Sequence, residues 1–291
     1  MNYHSPVLLR ESIKNLTVLK DGVYIDATLG HGGHTIEILK QKGIVYGFDQ
    51  DPKNLEIANQ RIKSLGLEKN FFAVNKNFIN IKSFLKKQKI NKIDGLIADL
   101  GLSQNQQTGQ DRGFSFNDQT SLDMRLNPKT QTLTAEEIIN TYSFDELYQI
   151  FTKICQELHS KPLIIQIIKE RQKSPIKTGQ RLAEIIRLYY KNKHLHSKID
   201  PSTKIFLSLR ITVNQEYDHL LKLLKQSLDV IKPNGNVSII TFHSGEDRIV
   251  KQFIQKNLSK VISQKAIKPT FEEIKTNPLS RSAILRTYKM I

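Results

Sequence analysis

The residues best suited to chemistry lie where a β-branched run meets a cluster of glycines. Asp26 opens this segment, and Gly30, Gly32 and Gly33 follow it before a helical apolar period begins. Glycines at such a turn let the backbone approach a ligand closely, and Asp49, 23 residues after Asp26, is placed to accept hydrogen bonds from both hydroxyls of a ribose. The pattern predicts a site for a nucleoside-containing cofactor at the carboxyl ends of parallel strands.

The spacing of the glycines narrows the choice of cofactor. A dinucleotide-binding turn needs a third glycine where Thr35 stands, and a Walker loop needs a Gly-Lys-Ser/Thr sequence that this segment lacks. S-adenosylmethionine suits the segment better, because it has one ribose and an amino-acid tail but no pyrophosphate for a helix terminus to hold. The alternative is that the glycines form only a tight turn between a strand and a helix.

Two further strand ends carry polar residues. Asp99 ends the predicted strand 93–99, at the edge where α/β sheets place reacting groups, and we expect it to contact the transferred group. A turn or a helix cap is its alternative role. After a later strand, Ser244 and Asp247 fit a capping box, which explains these two residues at least as well as catalysis does.

The elements that position these residues alternate in the first hundred residues. Short β-branched segments alternate with stretches of helical spacing, as in parallel βαβ units, and the strand pattern returns near the carboxyl terminus. A helical insertion separates the two parts, so the sequence predicts an interrupted α/β sheet. Predicted strands span residues 23–27, 44–49, 71–75, 93–99, 236–242 and 283–290, and predicted helices include 35–42, 52–65 and 202–231.

Charge points to a polyanionic partner. The 291 residues carry 44 Lys and Arg against 28 Asp and Glu, a net charge of +16. The excess is densest in residues 151–210, which hold 13 basic and 4 acidic side chains. Nucleic acid is the partner we expect first. The alternative is a solvated basic surface that reflects a lysine-rich composition.

Cysteine and hydropathy exclude several classes of protein. Cys155 is the only cysteine, so an internal disulfide and a zinc site built from cysteines are both excluded. The histidine pairs at 31/34 and 194/196 lack acidic or cysteine neighbours at ligand spacing, so we expect no metal. Neither a membrane-length apolar run nor a signal peptide is recognisable, and we therefore expect a soluble cytoplasmic protein without membrane contact.

Taken together, the motifs resemble those of bacterial 16S ribosomal RNA cytosine-N4 methyltransferases of the MraW or RsmH type. The resemblance runs nearly from end to end, so it is more specific than one glycine turn. The matching segments are residues 4–9 (HSPVLL) with Glu11, 26–35, 48–52 (FDQDP), 94–101 (DGLIADLG), 112–116 (RGFSF), 122–125 (LDMR), 209–216 (LRITVNQE), 242–248 (FHSGEDR) and 280–283 (SRSA).

The resemblance implies a class I, Rossmann-like methyltransferase sheet with an inserted all-helical domain. The implied methyltransferase domain comprises residues 1–107 and 201–291, and the implied substrate-binding insertion residues 108–200. Phe78 would stack near the adenine of S-adenosylmethionine, and Gln106 would reach this cofactor from the start of the insertion. The implied residues of the cofactor pocket are Gly32, Gly33, His34, Asp49, Phe78, Asp99 and Gln106.

The implied substrate is a cytosine of 16S rRNA at the decoding centre of the small ribosomal subunit. Asp99 would accept a hydrogen bond from the N4 amine and so act as a catalytic residue. The basic insertion would bind RNA, and Phe114 and Phe116 would either stack on a base or belong to the core. Both a monomer and a homodimer are compatible with the sequence.

Two departures from the family pattern and three other functions remain open. Gln104 and Asn105 stand where the family usually has Ser-Pro, and Gly245 replaces a leucine, which is expected to loosen the following helix start. A methyltransferase of another RNA or DNA base is the nearest alternative function. A dinucleotide-dependent oxidoreductase and a non-catalytic RNA-binding assembly protein are the others. The missing third glycine argues against the oxidoreductase, and the glycine turn with Asp49 argues against the assembly protein.

Overall fold

The computed structural model describes residues 5–103, 112–157, 159–197 and 199–291. The chain divides into two compact units. The sheet unit comprises Met1–Ser103 and Tyr217–Ile291, and the helical unit comprises Gln104–Glu216.

Within the described residues, the sheet unit is built on seven strands in the order β3-β2-β1-β4-β5-β7-β6. Strands β1 to β5 run parallel, and β7 is antiparallel to both β5 and β6. Asp26 at the end of β1 pairs with Gly47 of β2 and with Ile97 of β4, which puts three strand ends side by side. The strands are β1 (Val23–Asp26), β2 (Ile44–Asp49), β3 (Phe71–Asn75), β4 (Ile93–Asp99), β5 (Ile231–Thr241), β6 (Val261–Ser263) and β7 (Ile284–Met290).

Helices cover both faces of the sheet, which explains why the inner strands are apolar on both sides. In β4, Leu96 and Ala98 join the apolar cluster on one face, and Ile97 joins the cluster on the other. The helices of this unit are α1 (Leu9–Leu16), α2 (Gly33–Lys40), α3 (Pro52–Ser64), α4 (Ile81–Lys87), α10 (Glu216–Val230), α11 (Ser244–Lys256) and α12 (Phe271–Thr276). Single 3-10 turns span Glu68–Asn70, Phe78–Asn80 and Pro278–Ser282.

The helical unit has its own apolar core, to which all five of its described helices contribute buried residues. They are α5 (Ala135–Thr141), α6 (Phe144–Lys153), α7 (Ser160–Lys173), α8 (Gly179–Asn192) and α9 (Ser202–Asn214). Ser143 starts α6 with a complete capping box, in which its side chain and that of Glu146 satisfy each other's backbone amides.

Six of the seven strands in the described residues correspond to predicted ones, but three details differ, the first being that β5 begins at Ile231 rather than at residue 236. The three-residue strand β6 was not predicted, because so short a segment carries no period. The predicted helix 202–231 is two helices, since Gln215 adopts a left-handed backbone conformation with φ of 51° between α9 and α10. No helix in the described ranges is both long and apolar enough to cross a membrane.

The boundary between the units also differs from the implied one. Residues 201–291 were assigned to the methyltransferase domain, whereas α9 belongs to the helical unit. Ile205, Phe206 and Leu209 of α9 lie in the apolar core of that unit. Helical spacing identifies which residues of α9 are buried but not the core that they enter, so spacing alone could not assign α9 to the helical unit.

Candidate functional site

Three aspartates lie at one edge of the sheet. Asp26, Asp49 and Asp99 are the last residues of β1, β2 and β4, as the sequence predicted. Because β1 lies between the other two strands and all three are parallel, the carboxylates share the edge at which α/β proteins bind ligands.

The glycine turn that follows Asp26 has a structural reason for each of three glycines. Gly30 and Gly32 adopt left-handed backbone conformations with φ of 49° and 76°, which glycine tolerates best. Gly33 begins α2, and a Cβ at this position would collide with the ring of Pro6. These contacts account for the glycines without a ligand, so a binding role for Gly32 and Gly33 stays a prediction.

Asp26 holds the turn in place rather than facing a ligand. Its Oδ2 accepts a hydrogen bond from the Thr35 hydroxyl at 2.7 Å, and its Oδ1 accepts one from the backbone amide of Thr28 at 3.2 Å. Burial raises the pKa of Asp26 to about 6, against the opposing effect of these hydrogen bonds. The Thr28 hydroxyl in turn accepts a hydrogen bond from the amide of Asp99 at 2.6 Å. Neither threonine was among the predicted site residues.

Asp49 ties the glycine turn to the end of β2. Its Oδ2 accepts hydrogen bonds from the Gly30 amide at 3.0 Å and from the Asn54 side chain at 2.9 Å, and its Oδ1 accepts one from the Asp51 amide at 2.8 Å. Burial raises the pKa of Asp49 to about 7. A carboxylate offers about four acceptor positions. Since three donors of the described residues contact Asp49, one position remains for a further donor, fewer than the two needed to contact both ribose hydroxyls.

Asp99 and His34 face each other across the edge. Nδ1 of His34 lies 3.8 Å from Oδ2 of Asp99, and Nε2 of His34 lies 3.2 Å from the carbonyl oxygen of Val7. Because a carbonyl only accepts, Nε2 carries the proton. Burial lowers the pKa of His34 to about 4, so the imidazole is neutral at pH 7 and forms no ion pair with Asp99.

Asp99 also carries an acceptor that the described residues leave unused. Its Oδ1 is shielded from solvent and has no hydrogen-bond partner among the described residues. Burial raises the pKa of Asp99 well above the ordinary value, and the neighbouring charges of Asp26 and Glu246 add to this effect. A buried polar atom without a partner costs free energy unless something else pairs with it, which marks this atom as a candidate contact for a ligand.

Phe78 lies in the 3-10 turn that follows β3. Its ring meets that of His219 edge to face, with centroids 6.3 Å apart. The adjacent Asn77 donates a hydrogen bond to the side chain of Gln50, next to Asp49. Asn77 and His219 were not among the predicted residues, because they meet across 142 positions and no local pattern marks such a contact. Gln106, the remaining predicted pocket residue, lies outside the described residues.

Comparison with known proteins decides the family. The sequence profile of the MraW methylase family matches residues 1–291. The chain belongs to the MraW methylase family. Among its relatives, "Ribosomal RNA small subunit methyltransferase H" of Mycoplasmopsis agalactiae is 40% identical over 299 residues, which cover 98% of this chain and 97% of the relative. The Halothermothrix orenii protein of the same name is 37% identical, over 99% of this chain and 98% of the relative.

Solved structures agree with this family at the level of fold. An rRNA methylase from Clostridium thermocellum superposes with a TM-score of 0.51 at 12% identity, over 100% of both chains. A methyltransferase from Streptococcus mutans in complex with SAH superposes with a TM-score of 0.50 at 13% identity, again over 100% of both chains. The expected class I methyltransferase fold is confirmed, and family membership confirms the expectation of an S-adenosylmethionine-dependent methyltransferase.

The residues at the sheet edge fit the cofactor of a MraW-family methylase. The turn at Gly30 and Gly32 presents backbone without side chains, Asp49 retains one acceptor position for a hydroxyl, and Oδ1 of Asp99 is a buried acceptor without a partner. A nucleoside with an amino-acid tail supplies hydroxyl and ammonium donors of the kind that these acceptors lack. The residue assignments within the pocket remain predictions.

The end of β5 in this MraW-family chain corrects the predicted helix cap. His243, not Ser244, caps α11: its Nδ1 accepts a hydrogen bond from the Glu246 amide at 3.4 Å, and Glu246 accepts one from the Phe242 amide at 2.8 Å. Asp247 instead binds Arg286 through two hydrogen bonds of 2.6 and 3.0 Å. The predicted cap lies one residue too far along the chain, because a ring nitrogen of His243 accepts the hydrogen bond that was expected at the hydroxyl of Ser244.

The structure also explains the glycine that replaces the family's leucine. A Cβ at Gly245 would overlap the hydroxyl of Tyr217 and lie 3.2 Å from Nδ1 of His243. Tyr217 therefore occupies the space into which a side chain at position 245 would project. Despite the expected loosening, α11 begins at Ser244 with a formed cap.

The aromatic residues of the helical unit lie at the margin of its core. Phe116 meets Phe206 edge to face at 4.8 Å, and the guanidinium of Arg187 lies 5.8 Å from the Phe116 ring centroid. Phe114 is partly buried against the same core and lies under Arg112. These contacts favour the structural role for both phenylalanines, although neither ring is fully buried.

Proposed function

We propose that this chain transfers a methyl group from S-adenosylmethionine to the N4 amine of a cytosine in 16S rRNA, at the decoding centre of the small ribosomal subunit in the cytoplasm. The names of its relatives support an rRNA of the small subunit as the substrate. The observation that supports transfer to an amine is the buried Oδ1 of Asp99, an acceptor without a partner among the described residues.

The cofactor would be held by the edge of the sheet unit. Asp49 would accept a ribose hydroxyl, Phe78 would pack on the adenine, and the backbone at Gly32, Gly33 and His34 would pass close to the methionine moiety. Gln106 completes the proposed set from outside the described residues. When bound, S-adenosylmethionine supplies an electrophilic methyl group on a sulfonium centre.

Asp99 would activate the acceptor nitrogen. The lone pair of a cytosine amine is delocalised into the ring, and a hydrogen bond from this amine to Asp99 favours its localisation on nitrogen. The same contact stabilises the positive charge that develops on nitrogen and offers a base for the proton that it then loses. The raised pKa of Asp99 makes its carboxylate a stronger base than that of an ordinary aspartate.

RNA would be bound chiefly by the helical unit. Its α7 and α8 present exposed lysines, while Arg181, Arg187 and Lys204 are paired with acidic side chains. Exposed lysines bind phosphates without reading sequence, so the choice of nucleotide falls to the pocket. A base of a structured RNA must be unstacked before it reaches such a pocket.

The proposal is tested with small ribosomal subunits from a strain that lacks this gene. Methyl transfer from labelled S-adenosylmethionine is followed by nuclease digestion and mass identification of the labelled nucleoside. N4-methylated cytidine is the expected product. Label on another nucleoside, or transfer to DNA but not to subunits, would overturn the substrate assignment. Binding of RNA without any binding of the cofactor would instead favour an assembly protein.

Asp99→Asn tests the role of the carboxylate in the same assay. At saturating cofactor and subunits, we expect the single-turnover rate to fall by about 100-fold or more, because an amide is no base and stabilises positive charge poorly. An unchanged rate with normal cofactor and RNA binding would exclude this role for Asp99.

A further inference from the structure

We propose that His219 is a positioning residue of the cofactor pocket: by accepting a hydrogen bond from Asn77 and packing against Phe78, it holds the Phe78 ring ready for the adenine. This inference rests on the proposed function, since it takes Phe78 as the residue that meets the adenine. All three residues lie in the sheet unit, although 142 positions separate Asn77 from His219.

The side-chain amide of Asn77 has an orientation determined by its three partners. Its Oδ1 accepts a hydrogen bond from the backbone amide of Ile79 at 3.0 Å and so caps the 3-10 turn that carries Phe78. Its Nδ2 lies 3.2 Å from Oε1 of Gln50 and 3.2 Å from Nδ1 of His219. An amide nitrogen carries two protons, and each has one acceptor here.

This geometry determines the state of the His219 ring. Because Asn77 Nδ2 is a donor, Nδ1 of His219 must be the acceptor, and the proton of the neutral ring is then on Nε2. A proton added to Nδ1 would face the two donors of Asn77 and break the contact. The arrangement therefore requires a neutral histidine.

The surroundings of His219 favour that neutral state. Burial lowers the pKa of His219, Lys222 lowers it further, and Asp218 opposes both. The ring stands nearly perpendicular to Phe78, at an interplanar angle of 86°. An edge-to-face pair of this kind stabilises one orientation of the aromatic ring.

The helix that carries His219 is itself firmly placed. Leu220, Leu223 and Leu224 of α10 are buried in the core beneath the sheet. Further along the helix, the side chain of Gln226 accepts a hydrogen bond from the Lys82 amide at 2.9 Å, in the segment that follows Phe78. Because α10 is anchored, His219 offers Asn77 and Phe78 a rigid support, which lowers the cost of ordering them on binding.

Three substitutions separate the two contacts of His219. His219→Asn keeps an acceptor near the position of Nδ1 but removes the ring, His219→Phe keeps a ring without the acceptor, and His219→Ala removes both. We expect the Kd for S-adenosylmethionine, measured by calorimetry at pH 8, to rise about threefold in each of the first two variants and about tenfold in the alanine variant. The Kd for adenosine, which lacks the methionine moiety, should rise by the same factors.

The pH dependence of the Kd for S-adenosylmethionine tests the hydrogen bond specifically, because loss of packing alone would not change it. As the pH falls from 8 to 5, the wild-type Kd should rise relative to that of His219→Asn, because only the histidine gains a proton at Nδ1. The ratio changes below the ordinary histidine pKa of about 6.5, since the pKa of His219 is lowered. Because the wild type and His219→Asn both retain Asp26 and Asp49, the effect of titrating these aspartates cancels in the ratio of the two Kd values.

Gln226→Ala is the matched control, because it removes a hydrogen bond between α10 and the segment after Phe78 while Leu220, Leu223 and Leu224 still anchor the helix. It should lower the Tm but leave the Kd and its pH profile unchanged. Wild-type affinities in all three His219 variants, or one equal loss in all three with a constant pH ratio, would overturn the role of His219 while the proposed function stands. Failure of the wild-type protein to bind S-adenosylmethionine would overturn both.

Discussion

At the scale of single residues, three buried aspartates at the edge of the sheet lower the stability of the folded protein. Asp26, Asp49 and Asp99 all have raised pKa values whose main cause is burial, so their ionised forms are disfavoured in the folded protein. Natural proteins keep such costly groups where function requires them. Asp26 and Asp49 recover part of this cost through hydrogen bonds from the chain, whereas Oδ1 of Asp99 recovers none from the described residues.

Asp99→Asn should therefore stabilise the protein, and more so at high pH. Above the unfolded pKa of 3.8, the folded state binds more protons at Asp99 than the unfolded state does, so the aspartate lowers stability as the pH rises. An asparagine does not titrate, so it causes no such loss of stability. We expect the gain in Tm to be a few degrees larger at pH 8 than at pH 4, as measured by calorimetry. An equal gain at both pH values would contradict a raised pKa.

Thr35→Val should have the opposite effect, because it removes the hydroxyl that donates to Asp26. We expect a loss of about 1–3 kcal/mol in the free energy of unfolding at pH 7, where the carboxylate is mostly ionised. The loss should shrink toward pH 4, as Asp26 becomes protonated. Urea unfolding at both pH values measures this difference, and Thr35→Ser, which keeps a hydroxyl, is the control. Equal destabilisation by valine and serine would show that the hydrogen bond contributes nothing.

At the scale of elements, two helices that start at the sheet edge, α2 and α11, each begin against a residue from elsewhere in the chain. Pro6 packs where a side chain at Gly33 would begin, and Tyr217 packs where one at Gly245 would begin. Both glycines thus permit a close approach between segments, which local helix propensity would not reveal. The replacement of the family's leucine at 245 is understandable only together with Tyr217.

Gly245→Leu should destabilise the protein by about 1–3 kcal/mol through overpacking. Tyr217→Ala should remove the clash, so the double variant should be more stable than the two single losses predict, with a coupling of about 1 kcal/mol or more. Urea unfolding of the four proteins measures this coupling. Additive losses would mean that Tyr217 does not determine the glycine. The control is Leu65→Ala, which changes an exposed residue outside this contact. Gly66→Ala would not serve, because the backbone φ of 66° at this position is strained for alanine.

At the scale of the molecule, charge is distributed unevenly along the chain. The net charge of +16 gives a long-range attraction for polyanions, and residues 151–210 carry its densest part. Much of that segment forms α7 and α8 of the helical unit, where lysines are exposed. The proposed cofactor site lies in the sheet unit, so binding of RNA and binding of the cofactor should be separable by mutation.

Replacing Lys169, Lys177 and Lys191 by glutamate should weaken binding to small ribosomal subunits. We expect the slope of log K against log salt to fall by up to about 3, the loss of roughly one phosphate contact per lysine. The Kd for S-adenosylmethionine should not change. The control replaces three exposed lysines of the sheet unit, Lys63, Lys69 and Lys86. Equal losses in both variants would mean that the net charge, rather than the helical unit, determines RNA binding.

The sequence by itself determined the features that depend on local chemistry. Alternating β-branched segments located six of the seven strands, and the ends of three strands placed the aspartates at one edge. Left-handed glycines in a turn and acidic residues after strands are local requirements, so they appear in a short window of sequence.

Only the tertiary structure decided which distant residues meet. The core that α9 joins, the pairing of Tyr217 with Gly245, and the contact of His219 with Asn77 all depend on the packing of segments far apart in the chain. Periodicity reports which side chains are buried but not their partners, because burial depends on the whole assembled core. Likewise, only the positions of its neighbours in the fold show that Oδ1 of Asp99 has no partner among the described residues.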